Sequence, residues 1–153
     1  MDESARILVV DDDESIRKTI AAILEEKGYV VDTAENGKEA IEKTNVNFYN
    51  LALIDIRLPD MEGTKLLAEI KETTPKMVKI IVTGYPSLQN AITAVNMGAD
   101  SYLLKPVNID SLLETIKRHL NRQQETKKYS EEKVAEFIRT RVKELETVPN
   151  QKP

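Results

Sequence analysis

The chain has 153 residues, with 22 basic and 26 acidic side chains and a net charge of −4. This length fits about one domain with its own core, and the acidic excess argues against general affinity for nucleic acid or anionic membranes. The absence of cysteine excludes disulfides and thiolate metal sites. The acidic first residues do not resemble a signal peptide, and no apolar run approaches the roughly 18 residues of a membrane span. We therefore expect a cytoplasmic protein without membrane contacts.

Short apolar segments alternate with helical patterns along the first 122 residues, which is typical of repeated βα units. One strand ends at Asp55, and four others are predicted at about 6–10, 29–33, 77–83 and 101–104. Each strand is followed by apolar residues spaced three or four positions apart, the spacing of one helix face. Gly28 is placed to end the first helix, and Asn36-Gly37 is interpreted as a simple turn. The pattern predicts an α/β domain with five βα units.

Polar side chains stand where three of these strands end. Asp11 and Asp12 follow the first strand, Asp55 ends the third, and Thr83 ends the fourth. Because ligands bind outside the carboxyl ends of parallel strands, we expect these groups to meet in one acidic pocket. Clustered carboxylates repel and raise one another's pKa, so the pocket calls for a divalent cation.

Five features in this order carry a family resemblance: Val9-Val10-Asp11-Asp12, Asp55, Pro59 with Gly63, Ile81-Val82-Thr83-Gly84, and Tyr102-Leu103-Leu104-Lys105-Pro106. With them, residues 5–122 resemble the receiver domain of two-component response regulators. The resemblance implies a flavodoxin-like (βα)5 three-layer sandwich with parallel sheet order 2-1-3-4-5, which the pattern alone does not settle. It also implies a receiver domain over residues 1–122, and a cis Lys105-Pro106 bond.

The resemblance further implies a phosphoryl-transfer site. Asp55 would be the phosphoacceptor, and Asp11, Asp12, Asp55 and the backbone carbonyl of Arg57 would hold Mg²⁺. A carboxylate is a weak nucleophile, so transfer depends on positioning and on neutralising the phosphoryl charge. Carboxylate and carbonyl oxygens are the ligands that Mg²⁺ takes in such sites.

Three more residues would complete this site and its switch. Thr83 and Lys105 would hold the phosphoryl oxygens, and Thr83 and Tyr102 would move together on phosphorylation. The donor would be a histidine kinase or a phosphotransfer protein, and the fourth helix, fifth strand and fifth helix would control an unknown output protein. On this interpretation the chain is not an enzyme but a switch that assists its own phosphorylation and dephosphorylation.

Other protein classes fit the residues less well. A dinucleotide-binding enzyme or a P-loop phosphotransferase needs a glycine-rich turn after the first strand, where this chain has Asp11-Asp12-Asp13-Glu14. An aspartyl phosphohydrolase would usually carry a second acid where Arg57 stands. A different alternative is the receiver portion of a larger regulator whose DNA-binding or enzymatic output domain is missing. We favour a single-domain regulator without direct DNA binding, because about thirty residues after position 122 are too few for a helix-turn-helix domain.

Several polar residues near the motifs have simpler interpretations. Asp13 is expected to cap the first helix, and Asp60 and Glu62 are expected to be turn and helix-start residues. His119, the only histidine, is predicted to lie on the surface of the last helix.

Residues 123–153 are expected to form a polar connector and an additional amphipathic helix with a frayed end. Ser130 is placed to cap this helix, whose apolar stripe comprises Val134, Phe137, Ile138, Val142 and Leu145. An isolated helix of this length is marginal in water. We therefore expect the stripe to be buried against its own receiver domain, the same helix of a second chain or a partner protein, and we favour a homodimer or a fold-back.

Overall fold

The computed structural model describes residues 4–147, except for the side chain of Thr147. Five parallel strands form one sheet in the order β2-β1-β3-β4-β5. This order confirms the flavodoxin-like arrangement. The elements in chain order are β1 (Arg6–Val10), α1 (Glu14–Glu26), β2 (Val30–Ala34), α2 (Gly37–Val46), β3 (Leu51–Ile54), α3 (Gly63–Glu69), β4 (Val78–Thr83), α4 (Leu88–Asn96), β5 (Ser101–Leu104) and α5 (Ile109–Thr147).

The sheet separates two apolar clusters because successive side chains of a strand point to opposite faces. Leu8 and Val10 of β1 pack with side chains of α2, α3 and α4. Ile7 and Val9 pack on the other face, with side chains of α1 and α5. Strands β3 and β4 are buried along their whole length, as expected for parallel strands covered on both faces.

The start of α2 differs from the predicted simple turn. Asn36 caps the helix, its Oδ1 accepting a hydrogen bond from Glu39 N at 2.8 Å. A Cβ added to Gly37 would lie 2.5 Å from Sδ of Met61, so this helix end is packed against the loop after β3. Gly28, by contrast, ends α1 as predicted, with a positive φ of 96°.

The C-terminal part of the described chain is one continuous helix, the 39-residue α5. The polar stretch 122–133 prolongs the helix, so the prediction that Ser130 caps a separate helix is wrong. The apolar stripe is exposed rather than folded back onto the receiver side of the molecule. The predicted fraying concerns residues 148–153, which lie outside the described residues. No helix within residues 4–147 is long and apolar enough to cross a membrane.

The side chain of Gln123 joins α5 to the base of the sheet by hydrogen bonds. Its Nε2 donates to the carbonyl oxygens of Asn50 at 2.9 Å and Lys76 at 2.8 Å. Its Oε1 accepts from Asn50 Nδ2 at 3.2 Å. One turn earlier, His119 is only 8% exposed, so its prediction as a surface residue is wrong. Burial lowers the pKa of His119, an effect that the neighbouring Asp100 partly opposes.

Candidate functional site

The carboxyl ends of β1 and β3 place the acidic residues side by side. Backbone hydrogen bonds run from Asp11 N to Ala34 O and from Asp55 N to Val10 O. They continue the sheet by one residue beyond each strand and hold both aspartates at its edge. Asp11, Asp12 and Asp55 each offer a carboxylate oxygen, and these oxygens lie within 4.8 Å of one another. The structure thus brings together the three predicted carboxylates.

Lys105 lies between two of these carboxylates. Its Nζ donates to Asp11 Oδ2 at 2.7 Å and to Asp55 Oδ2 at 3.0 Å. The backbone N–H of Lys105 donates to Thr83 O at 2.8 Å, which continues the β4–β5 pairing to the site. The following bond to Pro106 is cis, as the resemblance implied. A fixed positive charge is therefore part of the pocket.

Burial and charge act in opposite directions on this pair. Burial raises the pKa of Asp55 above its ordinary value, the ion pair with Lys105 opposes that rise, and the nearby Asp11 adds to it. Burial would lower the pKa of Lys105, but its hydrogen bonds to Asp11 and Asp55 outweigh burial, so the pKa is raised. Lys105 therefore stays charged at neutral pH, and the pocket is unfavourable for negative charge on Asp55.

Asp12 and Asp13 differ in role despite their adjacency. Asp13 caps α1, its Oδ1 accepting from Ile16 N at 3.0 Å, which confirms the predicted cap. Asp12 is exposed and directs a carboxylate oxygen towards Asp11 and Asp55. Asp11 also accepts from Asp13 N at 2.9 Å, so the start of α1 helps to orient the buried aspartate.

Thr83 and Tyr102 lie on the two neighbouring strands β4 and β5. The Thr83 side chain is fully buried, and its Oγ1 accepts a hydrogen bond from Tyr85 N at 3.0 Å. Tyr102 packs against the apolar cluster beneath α4. Its hydroxyl oxygen is buried and has no hydrogen-bond partner among the described residues. A buried hydroxyl without a hydrogen-bond partner destabilises the fold. A rearrangement that gives the Tyr102 hydroxyl a hydrogen-bond partner is therefore favoured.

Arg57 contacts Asp55 through its backbone and Tyr85 through its side chain. Its backbone N–H donates to Asp55 Oδ1 at 3.3 Å, and its guanidinium lies 4.0 Å from the centre of the Tyr85 ring. Such a cation–π contact between two side chains from different loops restricts how each can move. Both residues also bond to the site through their backbone N–H groups, Arg57 to Asp55 and Tyr85 to Thr83.

Residues 7–117 match the family model of the response regulator receiver domain. The chain belongs to this family. Among solved structures, it is 48% identical to a CheY-like response regulator receiver domain protein from Methanospirillum hungatei, covering 81% of this chain and 99% of that one, with a TM-score of 0.78. It is 40% identical to the beryllofluoride-activated NtrC4 receiver domain dimer, covering 77% of this chain and 98% of that one, with a TM-score of 0.72.

A curated relative is much longer than this chain. The chain is 41% identical over 118 residues to the transcriptional regulatory protein ZraR of Klebsiella oxytoca. That match covers 77% of this chain and 27% of the relative. The chain therefore spans about a quarter of that protein, and the similarity concerns the receiver domain.

The donor set of this receiver domain fits a hard divalent cation. Three carboxylate oxygens converge, one from the exposed Asp12 and two from buried residues. Mg²⁺ and Ca²⁺ take oxygen ligands of this kind, and Mg²⁺ commonly keeps several waters. The raised pKa of Asp55 shows that the pocket disfavours further negative charge, which a cation would offset.

Asp60 was expected to be a turn residue, and its long-range role was missed. Its two carboxylate oxygens accept hydrogen bonds from Gly37 N and Lys38 N, each at 2.9 Å, and these bonds lower its pKa. They join the loop after Asp55 to the first turn of α2, whose N–H groups favour a negative charge. The partners are 22 and 23 residues away in sequence, so no local pattern could reveal them.

Gly63 allows a close backbone approach at the same loop. Its N–H donates to Ile56 O at 2.7 Å. A Cβ at this position would lie 2.3 Å from the backbone oxygen of Asp55. Glycine is therefore needed for the turn that presents the Asp55 side chain to the pocket.

Proposed function

We propose that Asp55 accepts a phosphoryl group from a phosphohistidine of a histidine kinase or phosphotransfer protein. The observation that carries this proposal is the Lys105 ammonium group held between Asp11 and Asp55 beside a third carboxylate. A carboxylate that accepts a phosphoryl group acquires negatively charged oxygens, which a nearby ammonium group can bind. Membership of the receiver family supports the same assignment.

In the proposed transfer, an oxygen of Asp55 forms a bond to phosphorus while the phosphorus–nitrogen bond of the donor breaks. The released imidazole takes a proton from solvent. Lys105 leaves Asp55 and donates to a phosphoryl oxygen, and the Thr83 hydroxyl donates to another. Asp11, Asp12, Asp55 and the backbone carbonyl of Arg57 would hold Mg²⁺, which when bound neutralises charge on the transferred group.

We further propose that Thr83 and Tyr102 relay this change to an output protein. Thr83 lies at the end of β4, and the unsatisfied hydroxyl of Tyr102 lies on the adjacent strand. Beyond them, α4 and β5 present exposed apolar side chains, including Leu88 at 79%, Val95 at 65% and Leu104 at 53% exposure. Contiguous exposed apolar groups mark interaction surfaces.

On this proposal the protein is a cytoplasmic phosphoacceptor switch. It assists its own phosphorylation and dephosphorylation rather than acting on another molecule. We propose that this receiver domain acts through a protein partner, without binding DNA itself. The alternative is the receiver portion of a larger regulator, which the length of the ZraR relative keeps open.

Acetyl phosphate with Mg²⁺ tests the acceptor assignment. The wild type should gain one base-labile phosphoryl group by mass spectrometry, and a chelator should prevent the gain. Asp55→Asn should gain none, whereas Asp13→Asn, the same change at a helix cap, should be labelled normally because asparagine is an equally good cap. Labelling of Asp55→Asn would move the acceptor to another residue and refute the proposal.

A further inference from the structure

Helix α5 extends well beyond the domain that it packs against. Gln123 is the last of its residues with a hydrogen bond to the base of the sheet. From Gln124 to Glu146 every side chain is exposed except that of Ala135. At about 1.5 Å per residue, the helix from Gln123 to Leu145 is about 33 Å long. This segment, residues 124–147, is called the α5 extension below.

The apolar stripe of the α5 extension continues the buried face of the same helix. Eighteen residues make about five turns, so residues 18 apart lie on the same side. Val134 lies below Ile116 and Ile138 lies below Leu120, and both upper residues pack into the cluster with α1 and the sheet. The stripe therefore faces the side on which the domain sits, but beyond the edge of the domain. A rigid helix cannot return it to its own receiver.

The stripe is large enough to support a dimer. Its five side chains are 48% to 71% exposed. Together they present on the order of 500 Å² of apolar surface, a large part of the roughly 800 Å² per partner in a stable interface of standard size. Flanking side chains of the α5 extension would supply the remainder.

The arrangement of the stripe matches a second copy of itself running in the opposite direction. Val134 and Val142 lie four residues before and after Ile138. A two-fold axis at Ile138 therefore places each Val134 against Val142 of the second copy and each Ile138 against its own equivalent. An isologous contact requires such self-complementarity.

The position of the domain favours an antiparallel pair over a parallel one. A second helix on the stripe, continued towards its own N-terminus, would enter the space that α1 and the sheet occupy beside α5. In the antiparallel pair the second helix approaches with its C-terminal end instead, and its Leu145 lies opposite Glu131. The inner corner beside Lys127, Ser130 and Glu131 is open, with a cavity of about 480 Å³ between α5 and the loop before β4.

We propose that the α5 extension binds a second copy of this chain as an antiparallel helix pair centred on Ile138. The two receiver domains then lie at opposite ends of the pair, with both acidic pockets distant from the interface. The contact does not involve Asp55, so the dimer forms without phosphorylation.

Analytical ultracentrifugation at micromolar concentration tests the dimer. The wild type should sediment as a dimer, and Ile138→Ser should raise the dissociation constant at least tenfold. Lys143→Ser lies on the opposite side of the helix and should leave the dimer intact. Thermal melting of Ile138→Ser should still show a folded receiver domain. A monomeric wild type would overturn the proposal and leave the stripe to a different protein.

Disulfide formation tests the direction, since the chain has no native cysteine. Glu131→Cys and Leu145→Cys proteins, one carrying a size tag, should form a mixed disulfide when combined. Neither should form a disulfide with itself, because equal positions would be about 21 Å apart and a disulfide needs Cα atoms within about 7 Å. Self-disulfides at both positions without the mixed species would show a parallel pair and refute the proposed geometry.

Discussion

Replacing Gly63 with alanine places a methyl group against the backbone of the proposed acceptor. The new Cβ would lie 2.3 Å from Asp55 O and 3.0 Å from both Asp55 C and the Cα of Ile56. All three are backbone atoms, so no flexible side chain can yield. Overpacking of this kind costs about 2 kcal/mol. For a domain of this size that corresponds to a melting temperature lower by about 4–8 °C.

Gly84 provides a matched control. A Cβ at Gly84 meets its nearest atom at 3.8 Å, on the Lys105 side chain, which is ordinary contact. The free energy of unfolding of Gly84→Ala should therefore lie within about 1 kcal/mol of the wild-type value, although Gly84 also lies beside the pocket. We further expect Gly63→Ala to reduce phosphoryl labelling from acetyl phosphate, because the shifted backbone carries the Asp55 side chain with it. Equal melting temperatures for Gly63→Ala and the wild type in calorimetry would refute the close approach.

Two further predictions concern buried charges. Lys105→Met leaves Asp11 and Asp55 without their shared cation. We therefore expect the free energy of unfolding of the metal-free protein, measured by urea titration, to fall by about 3 kcal/mol. An unchanged free energy of unfolding would mean that solvent already screens the two carboxylates. Burial lowers the pKa of His119 from 6.5 in the folded protein, so the unfolded chain binds a proton on this side chain more readily. The stability that neutral His119 contributes is therefore present above pH 6.5. It is lost as the pH falls towards the folded pKa. The urea midpoint of the wild type should therefore fall more than that of His119→Gln between about pH 8 and about pH 5, and parallel curves would contradict this.

The fold was largely predictable because each βα unit carries its own signals. Aliphatic runs ending in Asp11, Asp55 or Thr83 marked the buried strands, and Gly28 marked a helix end. The sheet order came from the family resemblance rather than from these patterns, because local spacing does not specify which strands pair.

The errors concern helix α5. Ser130 was taken for a cap because a polar stretch precedes the second apolar stripe. No glycine follows Gly98, however, and no proline lies between Pro106 and Pro149, so nothing in the chain interrupts the helix. His119 was placed on the surface because it is polar. It lies seven residues after Leu112 and four before Gln123, on the edge of the face that packs against the domain.

The structure brings together the predicted carboxylates and Lys105, but the sequence did not specify their contacts. The structure shows that Lys105 pairs with two carboxylates, and a sequence cannot specify the conformation of so flexible a side chain. The Arg57–Tyr85 contact and the bonds of Asp60 likewise join loops that are distant in sequence. Such contacts depend on how the elements pack.

Through their hydrogen bonds to Asp60, two backbone amides of α2 report on the loop that follows Asp55. Gly37 and Lys38 are not among the proposed site residues, yet their N–H groups donate to the carboxylate of Asp60 on that loop. A change in that loop alters the length of these hydrogen bonds, and amide chemical shifts depend strongly on hydrogen-bond length. In a ¹⁵N-labelled sample, these two resonances should therefore follow cation binding and phosphorylation from outside the pocket.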